Sequence, residues 1–198
     1  MKSRSKKAII NITLVLTALS IAIYSAMYVT VTITSNSMKP TFEEGELILM
    51  KRQFFNPTIK RGQIVMFSTK DKPAVLKRVI GTAGDLITMN KKTVYIFKKD
   101  SASSLFEMQN VISSLGKYKE NGYPLAVYDT HIDDIAFKVA FTGIVPANED
   151  HYFQQDGMLI GQWSVPSDHL FVMGDNRDFS VDSRFIGFVS TSSVKAVY

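Results

Sequence analysis

The first forty residues contain a long stretch without a charged side chain. No Asp, Glu, Lys or Arg lies from Ala8 to Met38, and the most apolar part runs from Ile9 to Val31. A helix that crosses a bilayer needs about 20 such residues. We therefore predict a transmembrane anchor over residues 8–31, which fixes one end of any fold that the chain adopts.

The segment before this stretch is basic. Four positive charges belong to the tail of residues 1–7: Lys2, Arg4, Lys6 and Lys7. Because basic residues favour the cytoplasmic side, we expect a cytoplasmic N-terminus and the rest of the chain outside. A cleaved signal peptide stays an alternative, with Ala22 and Ala26 as its small residues, but its apolar core usually spans only about 7–15 residues. A buried core helix is disfavoured because the stretch lacks a polar face.

The rest of the chain carries little net charge and no cysteine. The formal net charge is +5, so only one net positive charge remains outside the tail. Its basic clusters are short pairs, Lys51-Arg52, Lys91-Lys92 and Lys98-Lys99, so we predict no nucleic-acid partner. The absence of cysteine excludes disulfides, cysteine nucleophiles and thiolate zinc sites.

Short apolar runs separated by Gly, Asn and Pro fill most of the chain after Ser37, which favours β-strands. We predict strands over residues 46–50, 63–67, 73–80, 169–173 and 184–189, and a hairpin of 85–89 with 93–97. Residues 98–162 are less regular, with a short helix or a loop over 101–115 and further strands over 130–141. We therefore predict a mostly β core of residues 32–97 and 163–198, with residues 98–162 as a smaller inserted lobe.

Residues 35–41, SNSMKPT, place two hydroxyls just after the apolar stretch. Pro40 restricts the backbone that follows Ser37. A constrained turn can present a hydroxyl and a backbone N–H together, as a nucleophile with part of an oxyanion hole requires. Ser37 is therefore a candidate nucleophile, although an isolated serine is more often a surface or capping residue.

A serine nucleophile needs a base, and the sequence offers histidine or lysine. None of the three histidines, His131, His151 and His169, has neighbours that resemble a catalytic triad. Residues 131–134, HIDD, are better explained as a polar turn than as a metal site, because zinc generally requires three or four ligands. The histidines therefore give no clear base, and we predict no metal.

Lys77 is the other candidate base. On a strand it shares a face with Val75 and Val79. Burial disfavours the charged form of an amine, and a neutral lysine can accept a proton from a hydroxyl. The competing interpretation is a lysine that extends its amine from a half-buried strand into solvent.

Residues 174–189, GDNRDFSVDSRFIGFV, concentrate five charged side chains in one segment. Exposed ion pairs contribute little to stability, so this density indicates a positioning function. A solvated loop is the alternative interpretation.

Together, SNSMKPT, RGQIVMF, LKRVIGTAGD and MGDNRDFSVDSRFIGFV resemble, in sequence and order, the motifs of the bacterial type I signal peptidases, the leader peptidases of serine protease family S26. They lie within residues 35–41, 61–85 and 163–189. The resemblance implies an antiparallel β-sheet body behind one transmembrane helix, anchored in the inner (plasma) membrane. It also implies a serine endopeptidase, without a cofactor, that removes signal peptides from exported preproteins.

The resemblance also implies roles for individual residues. Ser37 would be the nucleophile and Lys77 the general base of a Ser–Lys dyad. The N–H of Ser37 and the hydroxyl of Ser35 would form the oxyanion hole, and Ser180 would hydrogen-bond the Lys77 amine and orient it. Structural support would come from an Asp182–Arg184 ion pair and from four further residues: Asp175, Asn176, Arg177 and Asp178.

An extended substrate with small residues at the first and third positions before the cut would add to a strand edge. The candidate edges are residues 32–37 and a strand ending at Lys77. The candidate pocket residues are Ile33, Ser35, Met38, Phe42, Val75 and Leu76. The sequence departs from the family pattern at Thr34, where proline is common, at Gln63, where an acidic residue is usual, and at Phe179, where a polar residue is common.

The expected partners are preprotein signal peptides and the lipid bilayer, and contact with the translocation machinery stays open. Apolar surface near Phe42 or Phe54-Phe55, if exposed, would rest on the bilayer. Two alternative functions remain: a dedicated peptidase that matures one pilin or secretion-system substrate, and an inactive anchored module that binds preproteins. A self-cleaving repressor would need a DNA-binding domain where the apolar stretch stands.

Overall fold

The computed structural model describes residues 2–54, 58–69, 74–98, 111–142 and 149–198. Its helices and strands have these bounds: α1 Lys2–Met27, β1 Tyr28–Thr32, β2 Leu47–Arg52, β3 Ile64–Phe67, β4 Val75–Gly81, β5 Leu86–Asn90, β6 Thr93–Phe97, β7 Val111–Glu120, β8 Tyr123–Ile132, β9 Ile135–Thr142, β10 Gln162–Ser164, β11 His169–Met173, α2 Ser183–Ile186, β12 Val189–Ser190 and β13 Val194–Val197. The protein is mostly β, as predicted.

Helix α1 is long and apolar enough, by length and composition, to cross a membrane. Its hydroxyls bond back to the preceding turn, for example from Thr17 to the carbonyl of Thr13. The predicted anchor reached residue 31, but the helix ends at Met27. The next five residues, YVTVT, are all aromatic or β-branched. Such side chains favour a strand, and these residues form β1 instead.

The strands form three antiparallel sheets in the part of the chain that the structure describes. The largest has the order β1-β2-β13-β3-β4-β11-β12, and the two smaller ones are β10-β5-β6 and β7-β8-β9. The predicted hairpin of β5 and β6 is confirmed. The strand predicted over residues 73–80 is β4, Val75–Gly81; it continues past Lys77, and β11 pairs with it only from Arg78 onward.

Strand β4 separates buried apolar clusters on its two faces. Val75 and Val79 pack with the cluster of β3, β11 and β13. Leu76 packs with the cluster around β2, and Ile80 packs with the cluster around Trp163. This alternation places Lys77 on the face of the two valines, as the pattern predicted.

Two predicted elements differ from the structure. The predicted strand over 184–189 begins as helix α2, because the Asp182 side chain caps it by accepting from the Arg184 N–H. Gly187, at φ +78°, then ends the helix. Within the predicted helix or loop over 101–115, residues 111–115 belong to β7, and residues 101–110 lie outside the described residues.

The β7-β8-β9 sheet lies within the predicted inserted lobe and packs on the core. Phe137 of β9 lies under the Arg78 guanidinium, at 4.1 Å from the ring centroid. The N–H of Ala140 donates to the Asp175 carbonyl at 2.8 Å. The lobe therefore touches the charged segment of residues 174–189 directly.

The predicted lipid-facing aromatic residues do not behave alike. Phe42 is buried in the cluster around β2, so it does not contribute exposed apolar surface. Phe54 is 64% exposed, and Phe55 lies outside the described residues.

Candidate active site

Ser37 lies in a short 3-10 helix, Asn36–Met38, that directly follows the extended Ser35. Met38 is buried, and its carbonyl accepts from the N–H groups of Thr41 and Phe42 at 2.9 and 3.1 Å. The turn is thus held by one apolar anchor and two backbone bonds. Because the first amides of a helix have no partner within it, the helix itself does not use the N–H of Ser37.

The amine of Lys77 lies against the hydroxyl of Ser37. Nζ is 2.7 Å from Ser37 Oγ and donates to the carbonyl of Leu76 at 3.0 Å. Lys77 is 4% exposed, so the amine does not extend into solvent as the competing interpretation held. A hydroxyl and a buried amine at this distance can exchange a proton, which is what a nucleophile and its base require. A lysine, not a histidine, therefore supplies this nitrogen.

Ser35 lies beside the Ser37–Lys77 pair, near the position that the family resemblance implied. Its Oγ is 3.2 Å from Ser37 Oγ, and the residue is exposed. A hydroxyl here can reach an oxygen that develops charge on a bound acyl group. Its role in an oxyanion hole stays a prediction.

Ser180 does not make the predicted hydrogen bond to Lys77. Its buried Oγ does not meet the distance and angle limits of a hydrogen bond with any described residue, but the Ser180 side chain is near enough to Asp182 to help lower the pKa of that carboxyl. Ser180 packs closely against Gly174: a Cβ on Gly174 would lie 2.3 Å from Ser180 Oγ and 2.5 Å from the Ser37 carbonyl oxygen. Ser180 thus lies close to the backbone of the nucleophile through Gly174.

The segment after Gly174 holds the nucleophile turn by its backbone. The N–H of Asn176 donates to the Ser37 carbonyl at 3.1 Å, and its side-chain amide donates to the Asn36 carbonyl at 3.0 Å. Asn176 is completely buried. Asn176 therefore has a structural role, as predicted: it holds the nucleophile turn through these two hydrogen bonds.

Arg78 is a supporting residue that the sequence analysis missed. Its Nε and Nη2 donate to the two carboxylate oxygens of Asp175 at 2.8 and 2.6 Å, and Nη1 donates to the Gly62 carbonyl at 2.7 Å. This buried bidentate pair joins β4 to the charged segment. The available signal was a second basic residue next to Lys77, on the opposite face of a predicted buried strand.

Asp178 connects three elements. It accepts from the Thr142 N–H at 2.8 Å and from Lys92 Nζ at 2.7 Å. Thr142 ends β9 and Lys92 lies in the β5–β6 turn. Asp178 therefore ties the lobe and the hairpin to the charged segment, which agrees with the support predicted for it.

The predicted Asp182–Arg184 ion pair is present and buried. Arg184 donates through Nε and Nη2 to the two carboxylate oxygens, each at 2.8 Å, and through Nη2 to the Arg177 carbonyl at 2.7 Å. The N–H of Gly174 donates to Asp182 at 2.9 Å. Burial, then the neighbouring Arg184, lowers the pKa of Arg177 to about 10, so it stays charged near neutral pH.

The pKa of Asp182 lies below its ordinary value of 3.8. Burial raises it, but the charge and hydrogen bonds of Arg184 and the N–H of Gly174 together outweigh burial. The stability that this pair contributes is therefore present above about pH 3.8 and is lost as the pH falls through the lower folded-state pKa. We expect the difference in melting temperature between the parent and Asp182→Asn to shrink below this pH.

Thermal unfolding between pH 2.5 and 7 measures this difference. Asp156→Asn, at an exposed position, serves as the control and should follow the parent throughout. An Asp182→Asn difference that stays constant down to pH 2.5 would contradict the assignment.

The predicted pocket residues divide between two apolar clusters. Ile33, Met38, Phe42 and Leu76 share one cluster, whereas Val75 packs with the other. Because neighbouring strand residues point to opposite faces, Val75 and Leu76 cannot line the same wall. Their contact with a substrate stays a prediction.

The three departures from the family pattern have local explanations. Thr34 is exposed. The side-chain carbonyl of Gln63 accepts from the Lys60 N–H at 2.8 Å and closes the turn before β3. Phe179 packs on the buried cluster of Leu125, Val127 and Ala140 in the lobe. None of them displaces Ser37 or Lys77.

Of the predicted polar turn over residues 131–134, only residues 133–134 form a turn, because His131 and Ile132 end strand β8. Asp133 accepts from Arg61 Nε at 3.0 Å and from Lys98. Burial raises the pKa of Asp133, but these two cations bring it below the ordinary value. Asp133 therefore forms ion pairs with two cations at this turn.

A buried amine against a hydroxyl, held in place by a network of buried charges, is a site of the kind that hydrolases with a serine nucleophile need. A sequence model of the family described as "Signal peptidase, peptidase S26" matches residues 6–197. The chain belongs to this family.

Individual relatives agree with the family match. Signal peptidase I of Buchnera aphidicola subsp. Baizongia pistaciae is 32% identical, in an alignment that covers 79% of this chain and 64% of the relative. Signal peptidase I V of Bacillus subtilis is 27% identical and covers 90% of this chain and 88% of its own length. The chain thus spans just under two thirds of the length of the Buchnera relative.

A solved structure, signal peptidase I from Enterococcus faecalis V583, aligns with a TM-score of 0.39 and 22% sequence identity. The alignment covers 72% of this chain and 97% of that structure.

Proposed function

We propose that the protein is a membrane-anchored serine endopeptidase that removes N-terminal signal peptides from exported preproteins. The observation that carries the proposal is the 2.7 Å contact between Lys77 Nζ and Ser37 Oγ, made by a lysine that is almost completely buried. Membership of the signal peptidase family supports the substrate class.

In the first half of the reaction, Lys77 is the neutral base. Its Nζ accepts the proton of Ser37 Oγ while Oγ bonds to the carbonyl carbon before the cut. The negative oxygen of the tetrahedral intermediate accepts from the Ser37 N–H and the Ser35 hydroxyl. The protonated Lys77 then gives its proton to the leaving amine, and the acyl group stays on Ser37.

In the second half, water replaces the amine. Lys77 Nζ accepts a proton from the water, which attacks the ester carbonyl, and the proton returns to Ser37 Oγ as the acid leaves. Each group of the enzyme ends in the state in which it began.

The substrate would enter as an extended strand between residues 33–35 and residues 75–77. Ile33 already pairs on one side through its N–H to the Glu46 carbonyl at 2.9 Å and its carbonyl to the Gly45 N–H at 2.8 Å. On β4, pairing with β11 begins only at Arg78. These two strand edges lie next to the Ser–Lys pair, and they support addition of a peptide there.

Helix α1 would hold the site at the membrane. Only nine residues separate Met27, where the helix ends, from Ser37. The proposed topology has the basic tail in the cytoplasm and the sheets on the extracytoplasmic side of the inner membrane. The proposed partners are the signal peptide and the lipid bilayer.

The test is cleavage of a preprotein with an Ala-x-Ala site by the detergent-solubilised full chain, with products identified by mass spectrometry. We expect a single cut after the second alanine, because small side chains fit and larger ones clash. Replacing that alanine by leucine should lower the rate by at least about 10-fold to 100-fold.

A substrate with leucine only at the middle position of Ala-x-Ala is the matched control and should be cleaved like the parent substrate. No cleavage of any of these substrates would favour a dedicated peptidase or a binding module. A cut at another position would contradict the proposed specificity.

A further inference from the structure

Glu120, at the tip of the β7–β8 hairpin, reaches the nucleophile turn from the inserted lobe. Its Oε1 accepts from Asn36 Nδ2 at 3.1 Å, and its Oε2 lies 3.6 Å from Lys39 Nζ. Asn36 directly precedes Ser37, and Lys39 follows two residues later. One carboxylate therefore contacts both sides of the nucleophile.

Backbone geometry brings this carboxylate to the turn. Asn121 and Gly122 have φ values of +50° and +83°, as a tight two-residue hairpin turn requires, and Glu120 pairs with Tyr123 across it. At the other end of β8, Asp133 accepts from Arg61 of the core and from Lys98. The lobe is thus attached at both hairpin tips.

Both charges at the contact are largely shielded from solvent. The side chain of Glu120 is 12% exposed and that of Lys39 is 15% exposed. A hydrogen bond to an ionised acceptor is stronger than one between neutral groups, and shielding strengthens it further. Lys39 also lies 3.6 Å from Glu43, but that side chain is 51% exposed, so Glu120 provides the more effective opposite charge.

Asn36 is held from two directions. Its side-chain amide donates to Glu120, and its carbonyl accepts from Asn176 at 3.0 Å. The lobe and the charged segment therefore fix the residue before Ser37 jointly. Removing one support would let the turn move relative to Lys77, and the reaction is sensitive to such displacements.

We propose that Glu120 is a positioning residue, through which the inserted lobe holds Ser37 in register with Lys77 during turnover. It acts through Asn36 and Lys39 and does not touch the reacting atoms. This inference rests on the proposed function, since it requires Ser37 to be the nucleophile.

Kinetics of the detergent-solubilised full chain on the Ala-x-Ala preprotein test it. We expect Glu120→Ala to lower kcat by about 10-fold to 100-fold with little change in KM, since a misplacement of about 1 Å can have this effect. The kcat of Glu120→Gln should lie between those of the parent and Glu120→Ala, because glutamine keeps an acceptor for Asn36 but loses the charge near Lys39. The matched control, Asp133→Asn at the opposite tip of the lobe, should keep the parent kcat.

A double variant and a second measurement separate positioning from general damage. Glu120→Ala combined with Asn36→Ala should be no slower than the slower single variant, since both remove the same contact. Hydrogen exchange of residues 33–42 should be faster in Glu120→Ala than in Asp133→Asn. Three results would overturn the proposal. The first is that the losses in kcat of Glu120→Ala and Asn36→Ala add up in the double variant. The others are that Glu120→Ala changes only KM, or that it has the same kcat as Asp133→Asn.

A parent that cleaves no preprotein would overturn the proposed function instead. Hydrogen exchange would then still decide the structural part of the inference. Equal exchange of residues 33–42 in Glu120→Ala and the parent would show that Glu120 does not hold this turn.

Discussion

Lys77→Met is expected to abolish cleavage and leave the fold intact. Methionine nearly matches the length and apolar stem of lysine, so it fills the buried position beside Val75 and Val79. What it removes is the amine 2.7 Å from Ser37 Oγ. A general base contributes about 10²-fold to 10⁴-fold, so we expect a loss in this range or larger.

Single-turnover cleavage, with circular dichroism as a check of folding, measures the effect. Lys195→Met is the matched control, because Lys195 is an exposed lysine on a strand of the same sheet, and it should cleave like the parent. Ser37→Ala should be as inactive as Lys77→Met, since the two act as a unit. A Lys77→Met enzyme within tenfold of the parent would place the base elsewhere, and the histidines would have to be reconsidered.

Gly174→Ala should be the most damaging substitution outside the Ser37–Lys77 pair. The added methyl would lie 2.3 Å from Ser180 Oγ and 2.5 Å from the Ser37 carbonyl oxygen. The carbonyl belongs to the backbone of the nucleophile, so relief of the clash is expected to shift Ser37 relative to Lys77. We expect a loss in kcat of about 10²-fold and a lower free energy of unfolding by about 1–3 kcal/mol.

Gly157→Ala is the control, because a Cβ at Gly157 meets nothing within 4 Å. Its positive φ makes it mildly destabilising, but cleavage should be unchanged. The double variant Gly174→Ala/Ser180→Gly relieves only the contact with Ser180. It should therefore stay impaired, and full recovery would show that Ser180, rather than the Ser37 backbone, is the critical neighbour.

Much of the fold and the reactive pair could be predicted because local pattern determines them. Apolar runs bounded by Gly and Asn marked β2, β3, β5, β6 and β11, and alternation placed Lys77 on a buried face. The resemblance carried by the order of the motifs then predicted that Ser37 and Lys77 form a pair. These features depend on residues that are close in sequence or on a resemblance that covers complete motifs.

The supporting contacts could not be predicted, because they join residues far apart in sequence. The partner of Asp175 is Arg78, on a strand almost a hundred positions earlier. Glu120 meets Asn36 across 84 positions, and nothing local distinguishes it from a solvated acid in a hairpin turn. Helix α2 was misassigned because its capping by Asp182 competes with an apolar pattern that also fits a strand.

The junction between α1 and β1 leaves the chain without a hinge. Met27 ends the helix and Tyr28 begins a strand that pairs with β2 over five residues, and Arg52 of β2 donates to the Tyr28 carbonyl at 3.3 Å. The helix and the sheet are thus joined without an intervening loop. In the proposed arrangement with α1 in the bilayer, the lipid that surrounds α1 would therefore influence where the Ser37–Lys77 pair stands relative to a bound substrate.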